Sequence, residues 1–141
     1  MSWRARAVGL VLLALAGAAG ATGLAVEVER VDPAGRGRLA VWLYASAEEW
    51  DAPARPPRAQ ARHAGGARQA RFVFDNLPPG EYAVMVLHDL DGNGRFDRNA
   101  LGIPRDGYGF SNNPLVVARP GFARVRFTVP PAGTTVKVRM R

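Results

Sequence analysis

An all-β fold built as an antiparallel sandwich of about seven strands, with one long ordered loop, is what this sequence predicts. Three observations lead there. Short runs of alternating residues, rich in Val, Phe, Trp and Tyr, recur along the chain. Clusters of Gly, Pro, Asn and Asp separate them. No stretch after the first twenty or so residues carries the 3.6-residue period of an amphipathic helix.

Residues 26–31 (VEVERV) and 39–44 (LAVWLY) have strand composition, and Pro33, Gly35 and Gly37 between them predict an opening pair. Residues 48–61 have room for a short helical turn. Residues 70–74 (ARFVF) and 82–87 (YAVMVL) flank DNLPPGE, where Pro79 and Gly80 force the chain to reverse. At the end, 123–129 (ARVRFTV) and 134–140 (TTVKVRM) alternate around PPAG, which predicts a terminal hairpin. The run 55–71 carries five arginines and His63 with no acid. It reads either as a basic loop that touches an anionic partner or as a solvated connection.

The first 21 residues, MSWRARAVGLVLLALAGAAGA, pair Arg4 and Arg6 with a short apolar run and end in Ala19-Gly20-Ala21. That is the pattern of a secretory signal peptide cleaved after Ala21, and the run is too short to serve as a transmembrane anchor. The expected location is therefore periplasmic or extracellular, with residues 22–141 forming a single domain. The chain has no cysteine, so neither a lipid anchor nor a disulfide is available to it. Without Arg4 and Arg6 the 19 basic residues fall to 17 against 12 acids, a net charge of +5. A positive charge of this size outside the cytoplasm favours weak contact with anionic envelope polymers or lipid headgroups, and the expected partner is an unidentified protein or an envelope polymer. The arginines are scattered and no nucleic-acid-binding motif accompanies them, so nucleic acid is not an expected partner.

The stretch 88–113, HDLDGNGRFDRNALGIPRDGYGFSNN, concentrates the chemistry. Asp89, Asp91 and Asn93 occupy positions 1, 3 and 5 of an EF-hand-like calcium loop. Gly94 takes the sharp-turn position 6, the Arg95 carbonyl position 7 and Asp97 position 9. Oxygen donors on alternate residues of a glycine-bent loop suit a hard cation. Ala100 stands where a bidentate Glu belongs, Arg95 and Arg98 bring positive charge nearby, and Asp106 is placed to return and complete the shell. The competing reading is an ion-free turn in which the Asp and Asn side chains hold their own backbone.

Further on, Tyr108, Phe110, Ser111, Asn112 and Asn113 form a glycine-flanked segment too polar for a core strand. Rings beside amides bind sugars or peptides by stacking and hydrogen bonding. The alternative is that the rings plug the sandwich and the amides satisfy loop backbone. His88 next to Asp89 reads as a base, a metal ligand or, more plainly, a strand-end residue bonded to a backbone carbonyl. With no nucleophile elbow, no paired active-site acids and no cysteine, the expected protein is not an enzyme.

Several of these pieces in one order resemble an uncharacterised exported bacterial family, domain of unknown function 2141. The matching residues are F-x-F-x-N-L-P-P-G-x-Y at 72–82, V-x-x-x-H-D at 84–89, N-G-x-x-D at 93–97, L-G-I-P at 101–104 and G-Y-G-F-S-N-N at 107–113. The L-P-P-G-E-Y element also resembles the corner of transthyretin-like and carboxypeptidase-regulatory sandwiches. That likeness implies a buried Tyr82 ring whose hydroxyl bonds back to nearby backbone. Two function classes remain: a non-catalytic exported module that binds a ligand or partner through residues 89–113, ordered by calcium, and a structural or accessory envelope domain whose loop folds only onto its own sandwich.

Overall fold

The structure, a computed structural model, describes residues 23–52, 58–95, 98–101 and 106–141. The expected signal peptide, Asp97 and most of the L-G-I-P run lie outside the described residues. Within them the chain is all-β, as expected, with eight strands and two short helices: β1 (Leu24–Glu29), β2 (Arg38–Tyr44), α1 (Ala47–Asp51), β3 (Arg58–His63), β4 (Gln69–Phe74), β5 (Gly80–Asp89), β6 (Gly107–Phe110), α2 (Phe122–Val125), β7 (Phe127–Val129) and β8 (Thr134–Arg139).

The strands form two sheets. One runs β4-β1-β8, and the other β3-β2-β5-β6 with β7 also on β5. Period-two alternation sends Leu24, Val26 and Val28 of β1, Phe72 and Phe74 of β4, Leu39, Val41 and Leu43 of β2, and Val84 and Val86 of β5 into one shared core. Full burial of each such side chain contributes about 1.5–3 kcal/mol, which is the main source of stability in a chain without disulfides. A second apolar cluster covers the outer face of the larger sheet. There Tyr44, Met85 and Phe110 pack beneath Trp50 of α1 and Val125 of α2.

Four expectations about pairing are corrected. The expected opening pair does not form, because β1 is flanked on both edges by β4 and β8 and β2 lies in the other sheet. The expected terminal hairpin does not form either: β7 pairs with the start of β5, and Phe122–Val125 is helical. The architecture is mixed rather than purely antiparallel, since β8 runs parallel to β1 with Val136 and Val138 opposite Val26 and Val28. The run 55–71 is not only a loop, because Arg58–His63 forms an edge strand on β2.

That edge strand has no apolar alternation because its work is polar. Gln60 Nε2 donates to the Val73 carbonyl at 2.6 Å, Arg62 donates to the Arg71 carbonyl, and the Arg62 guanidinium lies 4.2 Å over the Phe72 ring. The outer edge of β4 is thereby sealed by side chains of the opposite sheet, a standard protection for exposed strand edges. At the corner between β4 and β5 the buried Tyr82 hydroxyl donates to the Pro78 carbonyl at 2.6 Å, as the L-P-P-G-E-Y pattern implied. No described helix is long and apolar enough to cross a membrane.

Candidate functional site

The long strand β5 delivers His88 and Asp89, both 3% exposed, to one end of the molecule. The link before β2 fixes them there. His88 Nε2 lies 2.7 Å from the Arg36 carbonyl; a carbonyl only accepts, so this nitrogen carries the proton and donates. Gly37, at φ 74°, passes so close that a Cβ on it would sit 2.1 Å from the Asp89 carbonyl oxygen. His88 is thus a strand-end residue bonded to backbone, the plainest of the readings open to it.

From Asp89 the chain curls around its own carboxylate. Oδ1 accepts from the N–H groups of Gly92 at 2.9 Å and Asn93 at 3.2 Å, and Oδ2 accepts from Gly94 at 2.6 Å. Gly92 and Gly94 both hold φ 74°, the left-handed conformation this curl demands and glycine adopts without strain. One step further out, Asp91 Oδ1 accepts from the Asn93 N–H at 3.1 Å and Asn93 Oδ1 accepts from the Arg95 N–H at 2.8 Å. Asp106, 5% exposed, engages the backbone beside this curl, its Oδ1 accepting from the Leu90 N–H at 3.2 Å.

The donor chemistry fits a hard cation only in part. An ionised carboxylate offers about four lone-pair sites, and the three N–H groups on Asp89 leave one. Asp91 and the Asn93 carbonyl oxygen add further oxygens, and every donor is oxygen, as calcium requires. Among the described residues, however, no three His, Cys, Asp or Glu side chains come together at metal-holding range. Asp97 lies outside the described residues, and Arg95 is exposed on the loop.

The second half of the stretch is given over to the fold's own packing. Gly107–Phe110 is strand β6, paired with residues 85–88 of β5, so the expectation that it was too polar for a core strand is corrected. The two glycines explain both the error and the fold. A Cβ on Gly109 would meet Val138 Cγ1 at 2.7 Å and the Arg139 carbonyl at 2.8 Å, because β6 lies directly against β8. Phe110 is buried edge-on against Trp50, with ring centroids 6.0 Å apart, and Tyr108 is half-buried beside it. The space left next to Tyr108 and Phe110 is about 30 Å³, enough for one water and not for a sugar ring.

Ser111, Asn112 and Asn113 tie three elements together. The fully buried Ser111 hydroxyl accepts from the Val84 N–H at 2.9 Å and donates to the Val125 carbonyl at 2.5 Å. Asn112 Nδ2 donates to the Arg126 carbonyl at 2.8 Å. Asn113 Oδ1 accepts from the Arg139 N–H at 2.7 Å while its Nδ2 donates to the Lys137 carbonyl at 3.1 Å, so one side chain pairs with the outer edge of β8 as a strand would. Both asparagines sit at positive φ, 63° and 47°, which Asn tolerates better than most residues.

A cleft of about 330 Å³ opens at the root of the stretch, where Arg30, Asp32, Asp106 and Arg141 converge around His88 and Leu90. Sequence reasoning missed Arg30, Asp32 and Arg141. They come from the end of β1, the turn after it and the last residue, and no spacing rule links such distant positions.

No curated protein and no solved structure shows significant similarity to the chain. A family model described as "Uncharacterized protein conserved in bacteria (DUF2141)" matches residues 26–137, a span that takes in part or all of every strand and both ends of the 88–113 stretch. The chain belongs to this family.

Proposed function

We propose that the protein is a non-catalytic, exported binding module in which a weakly held calcium ion stiffens the loop after β5 and the cleft at its root receives a protein or envelope-polymer partner. The observation that carries the reading is the buried Asp89 carboxylate, gathered by three backbone N–H groups at the centre of an Asp-x-Asp-x-Asn-Gly loop. A carboxylate so fixed presents a remaining lone pair in a set direction, and the Asp91 and Asn93 oxygens lie on the same turn. With solvent completing the shell, affinity falls in the range of extracellular modules, about 0.1–1 mM. The cleft beside it is lined by both guanidinium and carboxylate groups, which suits a polar ligand carrying both signs of charge rather than an apolar one.

Backbone amide spectra recorded during a calcium titration test this reading. Saturable shifts confined to residues 89–95 and 106–107 are expected, and their absence up to several millimolar calcium would remove the ion. A structural or accessory envelope role is the second reading. It rests on the inward engagement of Ser111, Asn112 and Asn113, whose side chains bind the protein's own backbone.

A further inference from the structure

Residues 114–120 cross the outer face of the larger sheet and are held from below. Val116 packs on the cluster of Tyr44, Trp50 and Phe110. The Trp50 indole N–H donates to the Pro120 carbonyl at 2.9 Å, and Arg119 donates to the Trp50 carbonyl at 3.0 Å with its guanidinium 4.2 Å over the Trp50 ring. Because Val116 points inward, its neighbours point out: Leu115 is 80% and Val117 104% exposed. An open groove of about 600 Å³ runs along this strap. Arg119, Arg124 and Arg141 line it and no acidic residue does.

We infer that the strap is a docking surface for an anionic phospholipid bilayer. Leu115 and Val117 enter the boundary between headgroups and acyl chains while Arg124 and Arg141 sit among the lipid phosphates. Two features select this occupant. Aliphatic tips ringed by guanidinium groups match a surface that is apolar beneath and anionic above, which is how interfacial segments bind. An anionic polysaccharide would use the arginines but leave the aliphatic tips in water. The strap is also ordered in advance by Trp50 and Arg119, so little conformational entropy is lost on docking. The surplus of positive charge over residues 22–141, 17 basic residues against 12 acids or +5, steers it to the same partner.

Cosedimentation with lipid vesicles tests the inference. The protein used spans residues 22–141, which contain every described strand and helix and both apolar clusters. Binding is expected to vesicles containing phosphatidylglycerol and not to phosphatidylcholine alone, weakening as salt rises. The double variant Leu115→Ser/Val117→Ser should lose about tenfold or more in partitioning. Arg124→Gln and Arg141→Gln should each lose about fivefold, equivalent to about 1 kcal/mol. All three should unfold near the wild-type temperature. Absence of binding to the anionic vesicles overturns the inference. Binding that ignores the Leu115 and Val117 changes and is matched by dextran sulfate makes the strap a polyanion site instead. Self-association lost in the double variant, without vesicle binding, assigns the strap to a second copy of the chain.

Discussion

Ser111→Ala removes one oxygen atom from a buried position and strands two backbone groups at once. The Val84 N–H loses its acceptor at 2.9 Å and the Val125 carbonyl its donor at 2.5 Å. Neither can turn to solvent, because Ser111, Val84 and Val125 are all fully buried. An unsatisfied buried group costs about 1–3 kcal/mol, so the pair should cost about 2–6 kcal/mol. For a domain of this size about 4 °C corresponds to 1 kcal/mol, which places the midpoint about 8–24 °C below wild type. Urea unfolding followed by tryptophan fluorescence measures the loss, and the slope with denaturant should stay unchanged if the native surface is intact. Thr128→Ala on the exposed side of β7 serves as the control, expected within about 0.5 kcal/mol of wild type. A Ser111→Ala loss no larger than that control would refute the claim that this hydroxyl joins β5 to α2.

Three other perturbations follow from the same geometry. Gly37→Ala should destabilise by about 3 kcal/mol or more, since the new methyl group meets the Asp89 backbone at 2.1 Å, whereas Gly92→Ala, at the same φ of 74° in open space, should lose only about 1–2 kcal/mol; equal losses in thermal melts would contradict the close approach. Arg119→Ala should cost about 1–2 kcal/mol and shift the Trp50 emission, because it removes both the contact over the Trp50 ring and the bond to its carbonyl; an unchanged spectrum would show that the strap is not held there. Burial pushes the Tyr44 phenol above its ordinary range, with the Arg119 guanidinium pulling the other way. The unfolded chain therefore ionises first, so this group's contribution to stability is intact below about pH 10 and declines as the pH rises through the folded value. Stability that fell no faster above pH 10 in wild type than in Tyr44→Phe would remove Tyr44 as the cause.

The strands themselves were legible because alternation records which face of a residue is buried. Val26, Val28, Val41, Val84 and Val86 all point where their spacing says. Their partners were not legible, since a period of two specifies a face and not a neighbour. The β1–β8 pairing joins residues more than a hundred positions apart, and its parallel sense has no local signal. β3 was missed because an edge strand that seals another edge with Gln60 and Arg62 needs no apolar residues. β6 was missed because Gly107 and Gly109 look like turn residues, while Gly109 is a glycine for want of room beside Val138. Residues 123–125 alternate like a strand but form most of α2, where Val125 supplies the buried contact. In the candidate site the spacing of Asp89, Asp91 and Asn93 did foretell a tight oxygen-lined curl. It could not say that Asp89 would also hold three backbone N–H groups, because an ion loop and an Asx turn ask for the same residues.

The calcium dependence of thermal unfolding tests the central claim most directly, and Asp91→Ala is the informative variant. Asp89 anchors the loop whether or not an ion binds, so its removal would destabilise under either reading. Asp91 is exposed, and the hydrogen bonds of its carboxylate run to the neighbouring Asn93. At tenfold excess over the dissociation constant, calcium should stabilise the wild-type protein by about 1.4 kcal/mol, a rise of about 6 °C that chelator reverses. Asp91→Ala should unfold near the chelated wild type and gain little from calcium. A wild-type midpoint that does not move between chelator and several millimolar calcium would contradict the claim, leaving the loop a turn held by its own side chains.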